Sequence, residues 1–544
     1  MNWKYLTRAS LLGCILTLLG CHTSPGNSDG PDASTGTDAG TDASTPDTDS
    51  EWDGGYVPLE ENGNSFDPGR LSPCRFAASG GGGCDFNTFD LSACDQGSLA
   101  NAGTEGEYML TLREQGPDPD GEFYYTEAAV LTLSGDGGTS YLNGVAATEV
   151  RQGNARLFST TTLKPDGSSL RYAAVTCEAP QAPEFTGCYT NCRNGKLLSL
   201  STFKSERMKW RAGESEASGL ELVSESHVEQ GHPVDVYVTK GYAYVVAIDS
   251  MGQTGGLTVF DVSNKAAPVK VKTIHMENDS YWNAAWAKGD ALYVASADRG
   301  VLLFDITHPA DPKLVRNLPG GSGRVNNHTL FIEGDRLYAT TNNSVSIFDV
   351  STPLAPVELN RYAPVSEFPN SPHDMLAVGD RLYVNNAIAG YVVADVSNPS
   401  DIRTLGQFDY PGQYSHANAV GTFAGRTIAF VGGEGPFEHL RVLDVTDPAN
   451  IVKIGEFQLR PTVSIHNMLL VGKKLYISWY QEGVRVLNVA NPTKPTQVAY
   501  YNTWRETDPH RGQHLDGAIG IRIPGDGYIY VVDTSRGLLI LREK

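Results

Sequence analysis

Histidine is missing from residue 23 to residue 226, cysteine from residue 193 onward, and neither lysine nor arginine occurs between Arg8 and Arg70. The formal net charge is -21. Without clustered lysine and arginine a chain cannot make the phosphate contacts that hold nucleic acid, so that class of partner is excluded. Long apolar runs are scarce as well, and the one near the N-terminus, Leu11 to Leu19, is too short to cross a bilayer. The one Gly-x-Ser-x-Gly match, Gly26 to Gly30, lies in a polar stretch, and no His-Glu-x-x-His, P-loop or dinucleotide fingerprint is present. Nothing therefore designates a nucleophile or a nucleotide site, and enzymatic activity stays open.

The N-terminus carries a recognisable signal. Lys4 and Arg8 precede the apolar run, which closes on Leu18-Leu19-Gly20-Cys21. A basic start, a short apolar segment and small residues before a cysteine are what a lipoprotein signal peptide requires, here residues 1–20. The reading predicts a diacylglycerol on Cys21 and a membrane partner reached through that lipid, since several acyl chains bind firmly where one does not. By resemblance to enterobacterial lipoproteins, His22 in place of aspartate directs the protein to the outer membrane, on its periplasmic or surface face. Residues 21–69 are mostly Ser, Thr, Gly, Asp and Pro, with Asp29, Asp38, Asp42, Asp47 and Asp49 among them. Such a composition buries too little to fold and predicts a disordered acidic tether.

With Cys14 removed and Cys21 lipidated, six cysteines remain: Cys74, Cys84, Cys94, Cys177, Cys188 and Cys192. An even set confined to one stretch of an exported chain reads as disulfides, with fifteen possible pairings. A metal cluster around Cys188 and Cys192 would lack histidine partners. Within residues 70–212, short alternating stretches such as Tyr108 to Leu112, Ala128 to Leu133, Leu170 to Val175 and Leu197 to Phe203 predict strands separated by turns. Asp118-Pro-Asp120-Gly121 has a faint likeness to a calcium loop but lacks the other ligands, and reads as a plain turn.

From residue 220 to 544 the sequence repeats. Val259-Phe-Asp-Val-Ser-Asn, Leu303-Phe-Asp-Ile-Thr-His, Ile347-Phe-Asp-Val-Ser-Thr, Val393-Ala-Asp-Val-Ser-Asn, Val442-Leu-Asp-Val-Thr-Asp and Val486-Leu-Asn-Val-Ala-Asn align their third residue at 261, 305, 349, 395, 444 and 488. Successive intervals of 44 to 49 residues match propeller blades. Each unit also contains Gly-x-x-Leu-Tyr or a variant, as at Gly289 to Tyr293 and Gly334 to Tyr338, where glycine turns a hairpin and Tyr opens a second strand. The repeated Asp is expected to accept N–H groups of the next turn, and proline to stop further pairing. Seven Tyr strands but six complete third-to-fourth units leave one blade short of a strand, and Leu220 to Ser224 is the candidate to close the ring.

These motifs resemble the LVIVD-repeat propellers, through Leu303-Phe-Asp-Ile, Val442-Leu-Asp-Val and Val531-Val-Asp. The resemblance implies an extracytoplasmic seven-bladed propeller, often lipid-anchored, with no assigned catalytic set. The expected architecture is thus all-β: a disordered acidic tether, a disulfide-containing β segment and a seven-bladed propeller.

One position stands out, near the start of each blade's first strand. It holds Asp235, Asn283, His328, His373, His416, His466 and His514. First strands surround the axis, so the five imidazoles have two readings: inter-blade hydrogen bonds copied by duplication, or ligands of a divalent transition metal in the funnel. Asp374, Asn418, Asn467 and Asp516 follow one or two residues on and are candidate second partners of those rings. Tyr281, Trp282, Trp286, Tyr414 and Trp479 lie near the same segments and read either as packing or as a sugar or peptide groove. The functional expectation is a surface scaffold that binds a protein or glycan through propeller loops or funnel, with a metal-dependent enzyme as the alternative.

Overall fold

The computed structural model describes residues 52–544 except 62, 64–66, 78–82, 116–121, 136, 165–166, 251–252, 280, 320–324, 367–369, 410–413 and 509–511. The signal peptide, Cys21, most of the expected tether and the 118–121 turn lie outside the described residues.

Among the described residues seven antiparallel sheets succeed one another along the repeat region and form the blades of a propeller. Their innermost strands are His232–Thr239, Trp282–Lys288, Leu330–Glu333, Asp374–Val378, Ser415–Phe423, Met468–Val471 and Ala518–Arg522. Middle strands such as Ala291–Ser296 are buried along their whole length because both faces meet a neighbouring blade, which is why they read as unbroken apolar runs. Outer strands such as Val269–Ile274 are mostly exposed.

The repeated motifs have the roles their chemistry predicts. The carboxylates of Asp261, Asp305, Asp349, Asp395 and Asp444, and the Asn488 amide oxygen, each accept the N–H two residues on, at 2.7–3.0 Å. Gly289 and Gly334 turn their hairpins with φ of +57° and +55°, where a Cβ is disfavoured. The Tyr and Pro motifs prove to be partners: Tyr244 donates to the Pro309 carbonyl at 2.9 Å and Tyr293 to that of Pro353 at 2.6 Å. Each bond ties one blade to the next. A bulge recurs where the third and fourth strands pair, between Val259 and Phe260 and at the matching sites of the next five blades, adding local twist at the rim.

The ring closes as expected. Leu220–Ser226 pairs antiparallel with Gly537–Glu543, Leu222 opposite Leu541, and supplies the fourth strand of blade seven. Two further N-terminal pieces were not foreseen. Ala217–Ser218 pairs with Thr496–Tyr501 as a fifth strand on blade six. Residues 52–61, expected within the tether, lie on blade five: Leu59 donates to the Lys453 carbonyl at 2.8 Å, Trp52 is buried, and Glu61 binds Arg441 at 2.8 Å. Three successive blades thus hold N-terminal carboxylates with a buried arginine, Arg441 to Glu61, Arg485 to Glu214 and Arg536 to Glu225.

Residues 106–207 form a nine-stranded antiparallel sheet. Its edge strands, Val145–Ala146 and Thr148–Gln152, are separated in sequence by Ala147 alone, so the sheet curls until its edges adjoin. One side encloses Tyr108, Leu110, Phe158, Tyr189 and Phe203. The other carries the disulfides Cys74–Cys188, Cys84–Cys192 and Cys94–Cys177, which staple residues 74–94 against it. The four predicted strand stretches fall within Gly106–Gln115, Phe123–Leu133, Ser169–Gln181 and Lys196–Arg207.

Candidate functional site

The first strands bring four of the five selected histidines together. His328, His373, His416 and His466 come from blades three to six and stand ring against ring, with centroid separations of 4.1, 4.4 and 4.5 Å along the series. His373 and His416 are buried, His328 and His466 half-buried. Among the described residues His514 is not in ring contact with the stack.

Inter-blade bonds fix the rings. His416 Nδ1 lies 3.1 Å from the His466 carbonyl and His466 Nδ1 lies 2.8 Å from that of Ile519. A carbonyl only accepts, so both Nδ1 atoms carry the proton and both Nε2 atoms keep a lone pair. Asn283 extends the series, its amide donating to the His328 carbonyl at 3.1 Å and standing 3.2 Å from His328 Nε2. The structural reading of the motif therefore holds for one nitrogen of these rings and leaves the other available.

Two groups that sequence reasoning missed complete the site. Glu434 follows the second strand of blade five, and its Oε2 lies 3.7 Å from His416 Nε2. The Tyr480 hydroxyl donates to Glu434 Oε1 at 2.5 Å, while the Glu434 N–H binds the Tyr414 carbonyl at 2.9 Å. Tyr414 and Tyr480 also pack on His373 and His466, each with centroids 5.2 Å apart. Ligand atoms of His373, His416 and Glu434 lie within 4.8 Å of one another. His373 Nδ1 and His416 Nε2 are buried with no hydrogen-bond partner.

Burial dominates the electrostatics. It pulls the imidazoles of His328 and His514 to about 4, and those of His416 and His466 to about 3 with neighbouring rings adding to the effect. His373 falls well below the ordinary range for the same reasons. Burial raises the Glu434 carboxyl, against the pull of His466 and Tyr480. The rings are neutral at physiological pH, the form that ligates a metal.

The proposed second partners have other neighbours. Asp374 accepts its neighbour's N–H, from Met375 at 2.7 Å, and burial raises it to about 7, with Asp235 adding repulsion and Arg522 opposing. Asn418 lies 3.4 Å from the Tyr391 hydroxyl and binds Asn385. The Asn467 N–H meets Ser478 at 3.1 Å, and Asp516 lies 3.7 Å from His232. Of the aromatics, Trp282, Trp479 and Tyr414 are buried and form no open groove. Trp286 packs on Phe331 and under Arg522, 4.8 and 4.5 Å away.

Comparison with family models matches the LVIVD repeat at residues 230–275, 283–318 and 373–409, which are blades one, two and four. The chain carries LVIVD repeats. Comparison with curated proteins finds no match. Among solved structures, the chain is similar to the computationally designed Ika8 protein, at 9% identity over 59% of this chain and 99% of that one, TM-score 0.39. It is also similar to a chain of the Mitotic Checkpoint Complex, at 11% identity over 62% and 98%, TM-score 0.41.

Proposed function

We propose that the protein is a recognition scaffold held at the cell envelope through lipidated Cys21 and engaging a protein partner along the rim of its propeller. One observation carries the reading. The outer strands of blades one to four, Val269–Ile274, Lys313–Leu318, Val357–Tyr362 and Arg403–Phe408, are sheet edges among the described residues. Those of blades five and six are engaged by the N-terminal segments. The open edges expose Val269, Val271, Leu314, Val315, Val357 and Leu359, with Val357 62% accessible. Their charges are largely spoken for, Lys270 by Glu229, Lys272 and Lys313 by Asp311, Arg361 by Glu358. Unpaired edges with apolar side chains are what an added strand or an apolar partner surface covers. A glycan is less well served along this rim, because the side chains its open edges expose are aliphatic and not the aromatics that stack on sugar rings.

A photo-crosslinking residue placed at Val271 or Leu359 of the membrane-anchored chain in its native host tests the reading. A discrete adduct, lost on Val357→Asp and not formed from exposed Leu163 of the disulfide segment, is expected. Equal labelling from all positions, or adducts with glycan alone, contradicts it. A second reading, a metal-dependent enzyme, is favoured by the unpaired nitrogens of His373 and His416 beside Glu434 and requires that cluster to hold an ion.

A further inference from the structure

Where the first strands converge, lone pairs face one another without a hydrogen between them. His416 Nδ1 spends its proton on the His466 carbonyl, so the Nε2 lone pair is directed at the Glu434 carboxylate 3.7 Å away. A ring nitrogen of His373 lies within 4.8 Å of ligand atoms of both, and His373 Nδ1 is buried without a hydrogen-bond partner. Acceptors facing acceptors in a buried site repel, and a buried polar atom left unpaired is costly. A cation placed between these atoms would satisfy all of them.

We propose that His373, His416 and Glu434, at one mouth of the propeller axis, bind a single divalent transition-metal ion of the zinc class. Two imidazole nitrogens, a carboxylate oxygen and no thiolate make a donor set suited to zinc, iron, cobalt or nickel rather than to calcium. An ion about 2.0–2.1 Å from each donor holds them roughly 3.3–3.5 Å apart in a tetrahedron. The His416–Glu434 separation is 3.7 Å and all three donors lie within 4.8 Å, so small side-chain rotations close the site.

The surroundings have the form of an outer shell. Tyr480 and the Tyr414 carbonyl hold Glu434 at its side chain and at its N–H, and the His466 carbonyl sets the tautomer of His416, the usual way ligands are oriented. His466 stands next in the stack with its own Nε2 lone pair, since its Nδ1 donates to Ile519. The ligands come from blades four and five and their supports from blades five and six, so a bound ion would cross-link blades four and five where no disulfide does.

The test uses the full-length protein, stripped with chelator and titrated with Co2+, followed by displacement with Zn2+. One Co2+ per chain with tetrahedral or five-coordinate d–d absorption, displaced by zinc, is expected. Binding should weaken by about a hundredfold or more in His416→Ala and Glu434→Gln, and stay unchanged in His308→Ala, an exposed control. Glu434→Gln retains an oxygen for the Tyr480 hydroxyl, so it decides the matter if His416→Ala does not fold, with far-ultraviolet circular dichroism reporting the fold of each variant. No stoichiometric binding by the unmutated chain, or undiminished binding by folded Glu434→Gln, overturns the proposal.

Discussion

At the scale of the residue, the repeat signals were legible because each does local work. Asp261 and its five counterparts cap the turn that follows them, a role set within two residues of chain. The Tyr-to-Pro bonds span 60 or more residues, so the motifs could be seen but not paired. Glu434 and Tyr480 escaped because each sits in a loop peculiar to its blade, and periodicity finds only what recurs. The curled sheet holds a further unforeseen pair. Burial raises Glu127 to about 8, with repulsion from Glu114 adding to it, and raises Glu114 to about 7 against hydrogen bonds from Tyr125 and Ser199. In the unfolded chain both ionise near the ordinary glutamate value, so folding binds more protons between that value and about 8. Stability of this domain is therefore full in mild acid, falls as pH rises through that window and levels off above it. Glu127→Gln should remove part of the fall, on the order of 1–2 kcal/mol at pH 8 and little at pH 4.5. Urea unfolding of the disulfide-intact protein at the two pH values, followed by a probe in the N-terminal domain, measures this; equal slopes with pH for both proteins would refute it.

At the scale of the element, the count of strands was enough to predict the closing strand. Seven Tyr strands against six complete turns left one vacancy, and Leu220–Ser226 fills it. The other two N-terminal attachments were hidden for a physical reason. Ala217–Ser218 is too short to show alternation, and Trp52, Tyr56 and Glu61 are isolated anchors in a polar stretch, Tyr56 under Arg426 and Glu61 held by Arg441 and Lys453 of a distant blade. Composition averages such a segment into a tether. Deleting residues 220–226 should unpair Gly537–Glu543 and speed amide exchange in blade seven, with the next largest effect in blade six, whose extra strand precedes the deletion. Hydrogen exchange by mass spectrometry resolves the blades; loss of protection first in blades two to four, with blade seven intact, would mean that closure is made elsewhere.

At the scale of the whole molecule, the ring does what no single blade can. Each blade contributes one side chain near the start of its first strand, and circular closure gathers His328, His373, His416 and His466 into one stack. The sequence positions of these residues could be read from the repeat, but their ligand geometry depends on Glu434 and on which nitrogen each inter-blade carbonyl consumes. That is information of the assembled ring. If the axial cluster holds an ion, the ion binds only the closed form and stabilises it by linkage, about 4 kcal/mol when present at a thousand times its dissociation constant. The decisive measurement is elemental analysis of the full chain purified from its native host without chelator, paired with its melting temperature before and after chelation. The account predicts close to one transition-metal ion per chain and a lower, metal-restorable melting temperature after chelation. A metal-free protein whose melting does not respond to chelator or to added zinc would contradict it.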